Sequence, residues 1–433
     1  MKAYFAKRPA LSWALYDWAN SGFSTTVMVG FFPVFFRQYW STGVDPTEAT
    51  FRLGLASGIA GLLMALLAPV LGAIADYGGH RVRFVAAWSL LGIASTAALF
   101  FVGQGDWVGA VVVFTLATLG FNGGIIFYDA LLVDVAKPAE YDRISAYGYA
   151  LGYLGGGLLF AVNILMVVKP GWFGLATAAD AVRWSFLTVV LWWALFMLPL
   201  LTVRETPGRS GVGAWVAVKE GWASLRVTLP RVAANRQMLL FLAAYFLYID
   251  GVATIYKMAV DYGLALGLDT AALLGALLLT QFVGFPAAIA FGRLGERIGP
   301  RQAILLGVAI YAVVTVWAYW LDSTLEFFVM AIAVGLVQGG VQGLSRSFYG
   351  RLVPPAHSAE FFGFFNMMGK FSTVLGPLLV GYVALVTHDS RLSIAAVAVL
   401  FVGGGVLLWR VKDPQGAGAS SAGPGDHRAG SSP

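Results

Sequence analysis

Carboxylates, amides and amines recur at helical spacing inside stretches that are otherwise apolar. Asp17, Asn20, Ser21 and Ser24 fall in one such stretch, and Thr115, Thr118, Asn122 and Asp129 in another. Asp250, Thr254, Lys257 and Asp261 mark a third, and Gln338, Gln342 and Ser345 a fourth. Steps of three, four or seven residues put each set on one face of a helix. A further stretch carries Asn366, Lys370 and Thr373. A charged group at the centre of a bilayer costs about 2.5–3.5 kcal/mol on insertion scales, so these faces turn toward protein or water and mark a pathway. Their chemistry is that of holding a small polar solute and carrying a proton. It is not that of an enzyme, because no nucleophile and base are assembled within the apolar stretches. The chain has no cysteine, and His80, His357, His388 and His427 lie in connections or the tail without metal-ligand spacing. No metal and no cofactor are expected.

Depth and charge give the polar groups their candidate roles. Lys370 lies about ten residues from the nearer end of its stretch, or roughly 15 Å at helical rise, and Asp250 lies at similar depth. Two readings fit. Lys370 receives an anionic group of the substrate and exchanges it with Asp250, or Asp250 is permanently paired with Lys370 or Lys257 and ties helices together. Asp17 and Asp129 sit nearer the same end, where a carboxylate in apolar surroundings can hold a proton at neutral pH. Asp17 is the first candidate for proton coupling and Asp129 the second; the plain alternative is hydrogen bonding to Asn20 or a neighbouring helix without titration. Asn20, Asn122, Thr254, Gln338, Gln342 and Asn366 complete the candidate binding set.

The elements that must position these groups are membrane-spanning helices. The 433-residue chain is 59% apolar and 12% charged, about half the usual charged share. A crossing needs roughly 20 apolar helical residues, and the sequence supplies twelve, near residues 11–36, 52–75, 84–103, 107–133, 145–168, 183–203, 237–262, 270–292, 302–321, 325–348, 361–385 and 391–410. The first is too long for a cleavable leader, contains Asp17 and ends without a small-residue cleavage site. Of the 28 Lys and Arg residues, 21 fall on the side of the termini, five on the other, and Lys257 and Lys370 within crossings. The positive-inside rule therefore predicts both termini in the cytoplasm. The net charge of +6 is spread over helix ends rather than along one solvated face, so nucleic acid is not an expected partner. Trp40, Trp107, Trp172, Trp184 and Trp320 are expected as interfacial anchors, and Gly152 with Gly155-Gly-Gly157 as a surface for close helix approach.

The chain reads as two halves, 1–203 and 237–412. Between them lies a charged connection, 204–236, in which Trp215, Val218, Trp222 and Leu225 oppose Lys219, Glu220 and Arg226 as in an amphipathic surface helix; a flexible linker is the alternative. The tail, 413–433, is rich in Gly, Ser and Ala and is expected to be disordered. Gly72-Ala-Ile-Ala-Asp76-Tyr-Gly-Gly79-His-Arg81 follows the second crossing, and Gly292-Arg-Leu-Gly-Glu296-Arg-Ile-Gly299-Pro-Arg301 follows the eighth. An offset of 220 residues superposes the glycines, the acids and the arginines. Tandem six-helix halves related by an axis along the membrane normal are a transporter architecture. Asp134, at a membrane edge, is expected near Arg81 or Arg83.

The repeated segment resembles the cytoplasmic gate motif of the major facilitator superfamily. More narrowly, Ser12-Trp-Ala-Leu-Tyr-Asp17-Trp-Ala-Asn20-Ser21 with Phe31-Phe-Pro33 resembles the vacuole-effluxer, or autophagy-related amino-acid effluxer, branch. Ala244-Tyr-Phe-Leu-Tyr-Ile-Asp250-Gly251, Gln338-Gly-Gly-Val-Gln342-Gly-Leu-Ser-Arg346-Ser347 and Ala359-Glu-Phe-Phe-Gly363 are similar to other segments of that branch. The first gate copy departs from the pattern at Tyr77 and His80, where basic residues are common. The resemblance implies an all-α integral membrane protein of twelve helices in two pseudo-symmetric halves, with helices one, four, seven and ten around a central cavity. It implies alternating access, with the gates around Asp76 and Glu296 shutting the cytoplasmic side, and a monomer in the plasma (inner) membrane. The substrate it suggests is an amino acid or similar zwitterion, with Lys370 taking the carboxylate and Asp250 the ammonium. Efflux of amphipathic organic cations is the alternative, favoured by Asp17, Asp129 and Asp250 and opposed by Lys257 and Lys370. A receptor or lipid-moving protein is a second.

Overall fold

A computed structural model describes residues 8–43, 62–64, 66–75, 80–205, 219, 223, 230, 234–371, 375–387 and 389–412. Among these there is no strand. In hydrocarbon every backbone amide must bond within its own segment, which leaves helices as the solution for such apolar runs. Twelve follow in order. Helix α1 covers 9–40, α2 Leu62–Ala75, α3 Arg81–Leu99, α4 Trp107–Ala130, α5 Tyr141–Val168 and α6 Ala178–Met197. Helix α7 is Arg236–Ala265, α8 Thr270–Ile298, α9 Pro300–Trp317 and α10 Thr324–Leu352. Helix α11 comprises Ser358–Phe371 and Leu375–Thr387, and α12 comprises Ser390–Ala396 and Ala398–Trp409. Nine of the twelve meet both the length and the hydropathy required to cross a bilayer as single described helices. Trp215, Val218, Trp222 and Leu225 of the expected surface helix, the tail, Asp76 and Gly79 lie outside the described residues.

Helix ends show how the sequence orients the bundle. Asp106, Thr177, Asp269, Ser323 and Asp389 accept amide hydrogens from the first turns of α4, α6, α8, α10 and α12. Each satisfies an amide that has no partner within the helix. These caps all lie on one face. The opposite face carries the start of α1 and the end of α12, and is called the chain-end face below. Its members are tied together: the Lys412 amide donates to Gln237, and Arg301 donates to the Val411 carbonyl at 2.7 Å.

Two expectations about boundaries change. The second gate copy does not follow a crossing but continues it, since α8 runs to Ile298 and turns into α9 at Gly299. The positive φ of 88° at Gly299 explains why glycine stands there. Helix α10 also runs on, through Arg346 to Arg351. Arg346, counted above with the basic residues of the termini side, is 2% exposed and lies about 9 Å inside its helix. Helix α1 is π-helical over Phe23–Phe31 and again over Phe36–Trp40, flanking the stretch that contains Pro33. Trp40 is not an interfacial anchor: it is wholly buried and its indole donates to the Val102 carbonyl, whereas Trp172, Trp184 and Trp320 are exposed.

Glycines set how closely helices approach. A methyl at Gly148, Gly152, Gly155 or Gly156 of α5 would stand 2.6–2.8 Å from Asp17, Ser21, Trp18 or Thr25 of α1. Helix α1 therefore lies directly on α5. The two halves meet through equally close pairs near the chain-end face. Gly72 of α2 abuts the Ala359 carbonyl of α11, and Gly292 of α8 abuts Ala146 of α5. Gly72 and Gly292 are the equivalent glycines of the two gate copies. Trp192 and Trp193 are packing residues, the first donating to the Trp18 carbonyl and the second lying fully buried.

Candidate functional site

A cavity of about 300 Å³ opens between the halves, lined by α1, α4, α5, α7, α8 and α10. Its polar lining includes Asp17, Asn20, Ser21, Ser24, Gln281, Gln338 and Gln342; Tyr128, Tyr149, Tyr153 and Tyr256 supply the aromatic part. Gln338, Gln342 and Arg346 follow one another at intervals of four along α10, so a single helix face brings all three to the cavity.

Arg346 is the floor of this cavity on its chain-end side. Its Nη1 lies 3.1 Å from Asp129 Oδ1, and its Nη2 lies 3.4 Å from Asp17 Oδ2. Its Nε donates to Ser145 Oγ at 2.8 Å and its Nη2 to the Ser145 carbonyl at 2.9 Å. The guanidinium plane also stands 4.4 Å from the Tyr149 ring centroid and 4.7 Å from that of Trp13, within cation–π range. Asp17, Asp129 and Ser145 belong to the first half and Arg346 to the second, so the cluster spans the interface.

The carboxylates are held unequally. Asp129 also accepts from Asn366 at 3.1 Å, so both of its oxygens are engaged. Asp17 accepts from the Tyr128 hydroxyl at 2.7 Å, on the same oxygen that meets Arg346 at the longer distance. Two carboxylates thus face one guanidinium. With all three ionised, the cluster carries one negative charge in excess.

Below Arg346 the halves are shut. Ser145 donates to the Gly343 carbonyl at 2.7 Å. Five residues beyond Arg346, Arg351 meets both oxygens of Asp142 at 2.7 and 2.8 Å, and Ser347 donates to the same carboxylate. Arg81 lies 2.7 Å from Asp134 and donates to the Pro355 carbonyl of the other half at 3.3 Å. Arg83 is exposed. Glu296 is 3.9 Å from Arg143, while Arg301 bonds the carbonyls at the end of α12.

Asp250, Thr254 and Asn122 lie outside this lining. Asp250 is fully buried and does not line the cavity; it accepts from the Gly376 amide of α11 at 2.7 Å. Thr254 is also fully buried and packs where a methyl on Gly376 would sit. Helix α7 turns Ile249, Val252, Ala253 and Tyr256 to the cavity instead. Asn122 is buried outside the lining. Lys257 and Lys370 lie on α7 and α11, and their side chains are outside the described set. Arg346 is the main residue missing from the expected site. Its signal was present: it lies inside the crossing expected at 325–348 and extends the Gln338, Gln342 stripe by one more step of four. The four cavity tyrosines and Gln281 carried no comparable signal, since tyrosine reads equally as packing and Gln281 is a lone polar residue in an apolar helix.

Twelve helices in two halves, meeting around a polar cavity, define a major facilitator superfamily transporter. The fold overlays the proton:xylose symporter XylE bound to 6-bromo-6-deoxy-D-glucose with a TM-score of 0.75, at 13% identity, over 96% of this chain and 100% of that one. It overlays the human organic anion transporter MFSD10 with a TM-score of 0.70, at 16% identity, over 93% and 99%. Residues 50–420 match the family described as "Vacuole effluxer Atg22 like", and the chain belongs to that family. A relative in Bacillus subtilis, described as the uncharacterized MFS-type transporter YxiO, is 37% identical over 92% of this chain and 93% of its own. Autophagy-related protein 22 of Yarrowia lipolytica is 30% identical over 60% of this chain and 48% of its own. The protein is therefore a multi-pass membrane transporter of the secondary type and not an enzyme.

Proposed function

We propose that the chain moves a small zwitterion, an amino acid in the first instance, by alternating access coupled to protons. The observation that carries this reading is Arg346 at the cavity floor, bonded across the interface to two carboxylates. A substrate carboxylate competes with those aspartates for the guanidinium, which favours planar bidentate partners. Asp17, with the longer contact, is the one released. It then pairs with the substrate's ammonium group or takes a proton; because the zwitterion brings no net charge, only the proton neutralises the excess. Asn20, Gln338 and Gln342, which line the same cavity, bond the rest of the solute in this reading. A cavity of about 300 Å³ is at the small end of ligand sites, which supports a solute of amino-acid size.

In this reading the chain-end face is cytoplasmic, because the basic residues of the helix ends gather there. The structure is then closed to the cytoplasm, and the protein sits in the plasma membrane as a monomer. Efflux of organic cations is the second reading, favoured by the surplus carboxylate beside Tyr149, Tyr153 and Tyr256.

Uptake of pooled labelled amino acids into proteoliposomes, with and without an inward proton gradient, tests the proposal. Wild type, Arg346→Lys and Lys370→Ala are compared. Gradient-dependent accumulation that is lost in Arg346→Lys and kept in Lys370→Ala is expected. Loss only in Lys370→Ala would return the carboxylate site to that lysine, and no wild-type uptake would move the reading to organic cations.

A further inference from the structure

Trp13 is wholly buried and lies one helical turn before Asp17, on the same face of α1. It does not line the central cavity, so a solute there does not reach it. Yet it touches both groups that hold Asp17. Arg346 Cζ lies over the Trp13 ring, 4.7 Å from its centroid, and the same ring stacks on that of Tyr128 at 4.5 Å and 16°. The Trp13 indole N–H donates to the Tyr128 main-chain carbonyl at 2.8 Å. Tyr128 in turn donates to Asp17 Oδ2, the oxygen that also meets Arg346.

The packing around these groups leaves no slack. A methyl on Gly148 of α5 would stand 2.6 Å from Asp17 Oδ2 and 2.9 Å from both Arg346 Nη2 and the Tyr128 hydroxyl. Among the described residues, the titratable and charged groups around Asp17 are Arg346 of α10, Tyr128 and Asp129 of α4, Tyr149 and Tyr153 of α5, and Tyr16 beside it on α1. Trp13 brings neither charge nor exchangeable acid to this set. Its influence passes through the positions of Arg346 and Tyr128. A guanidinium over an aromatic face is held by the ring quadrupole, most strongly by tryptophan and where water is excluded. The stacked ring and the bonded carbonyl together fix Tyr128.

We propose that Trp13 is a positioning residue for the exchange at Arg346. It holds the guanidinium against the two aspartates and aims the Tyr128 hydroxyl at Asp17, and so sets the pH at which Asp17 is released. The proposal rests on the reading of Arg346 and Asp17 as the substrate and proton groups.

Two measurements on the full chain test it, each followed across pH. One is equilibrium binding of the labelled amino-acid pool. The other uses the absence of native cysteine: a single cysteine at the chain-end end of α10 is labelled from that side by an impermeant thiol reagent. Trp13→Phe is compared with Trp40→Phe, which also removes a wholly buried indole that donates to a carbonyl, at the other end of α1. A tetrafluorinated tryptophan at position 13 keeps the shape and the N–H while draining the face of the ring, so it reports even where Trp13→Phe does not elute as a monodisperse species. Binding should weaken about tenfold in Trp13→Phe and less in the fluorinated protein, within the range of a desolvated cation–π contact. The pH midpoint of Trp13→Phe should move in the same direction as that of Tyr128→Phe, and that of Trp40→Phe should stay at the wild-type value. A midpoint and affinity unchanged at position 13, or moved equally by Trp40→Phe, would overturn the proposal. If wild type binds no amino acid, the zwitterion reading falls, and the labelling midpoint still decides the role of Trp13.

Discussion

Arg346 and Arg351 lie five residues apart on the same helix, their side chains are 2% and 5% exposed, and both reach across to the other half, yet their surroundings differ in kind. Arg351 meets both oxygens of a single carboxylate, Asp142, below the cavity. The charges balance and nothing is left over. Arg346 faces two carboxylates from two helices, three aromatic rings and the cavity itself. The first arrangement suits a latch, made or broken as a unit. The second suits exchange, because one acid is always in excess and a competing anion has a partner to displace.

Breaking each side of this comparison should give different failures. Arg346→Ala strands two buried carboxylates, a change that costs about 3–5 kcal/mol where one partner of a buried pair is removed. It should lower the thermal unfolding temperature and abolish uptake, at least 100-fold; adding Asp129→Asn should restore stability but not transport. Arg351→Ala strands one carboxylate near the face rather than at the cavity. Substrate binding should persist, while cysteines placed at the chain-end ends of α5 and α10 should react faster with a membrane-impermeant thiol reagent applied from that side. Unchanged labelling would remove Arg351 from the latch.

Asp17→Asn sharpens the exchange half of the comparison. Gradient-driven uptake should fall about tenfold while counterflow of labelled against unlabelled substrate continues; identical dependence on pH in both proteins would remove Asp17 from coupling. The smallest effect is expected from Tyr128→Phe, which deletes one hydrogen bond to Asp17 at 2.7 Å. A bond to a charged group contributes about 1.5–3 kcal/mol, and the measured shift should lie at the low end because Arg346 remains. It should appear as a changed pH midpoint of uptake rather than as lost uptake.

The helices and their repeat were legible because the membrane demands length and apolar content, both of which are counted along the chain. The cavity face of α1 was legible because Asp17, Asn20, Ser21 and Ser24 have no other place to go. Helix rotation was not legible for α7. Its polar stripe, begun by Asp250 and Thr254, turns to Gly376 of α11, whose amide donates to Asp250. Periodicity reports that residues share a face but not what the face meets. Arg346 was obscured by its charge, since arginines near a helix end are ordinarily counted as anchors in the aqueous phase.

The central claim is that Arg346 binds substrate and Arg351 does not. Equilibrium binding of labelled amino acids to purified protein, without any gradient, compares Arg346→Lys with Arg351→Lys. Both keep the charge and lose the planar fork. The account predicts that binding falls at least tenfold in Arg346→Lys and stays near wild type in Arg351→Lys. Equal binding in the two variants would contradict it.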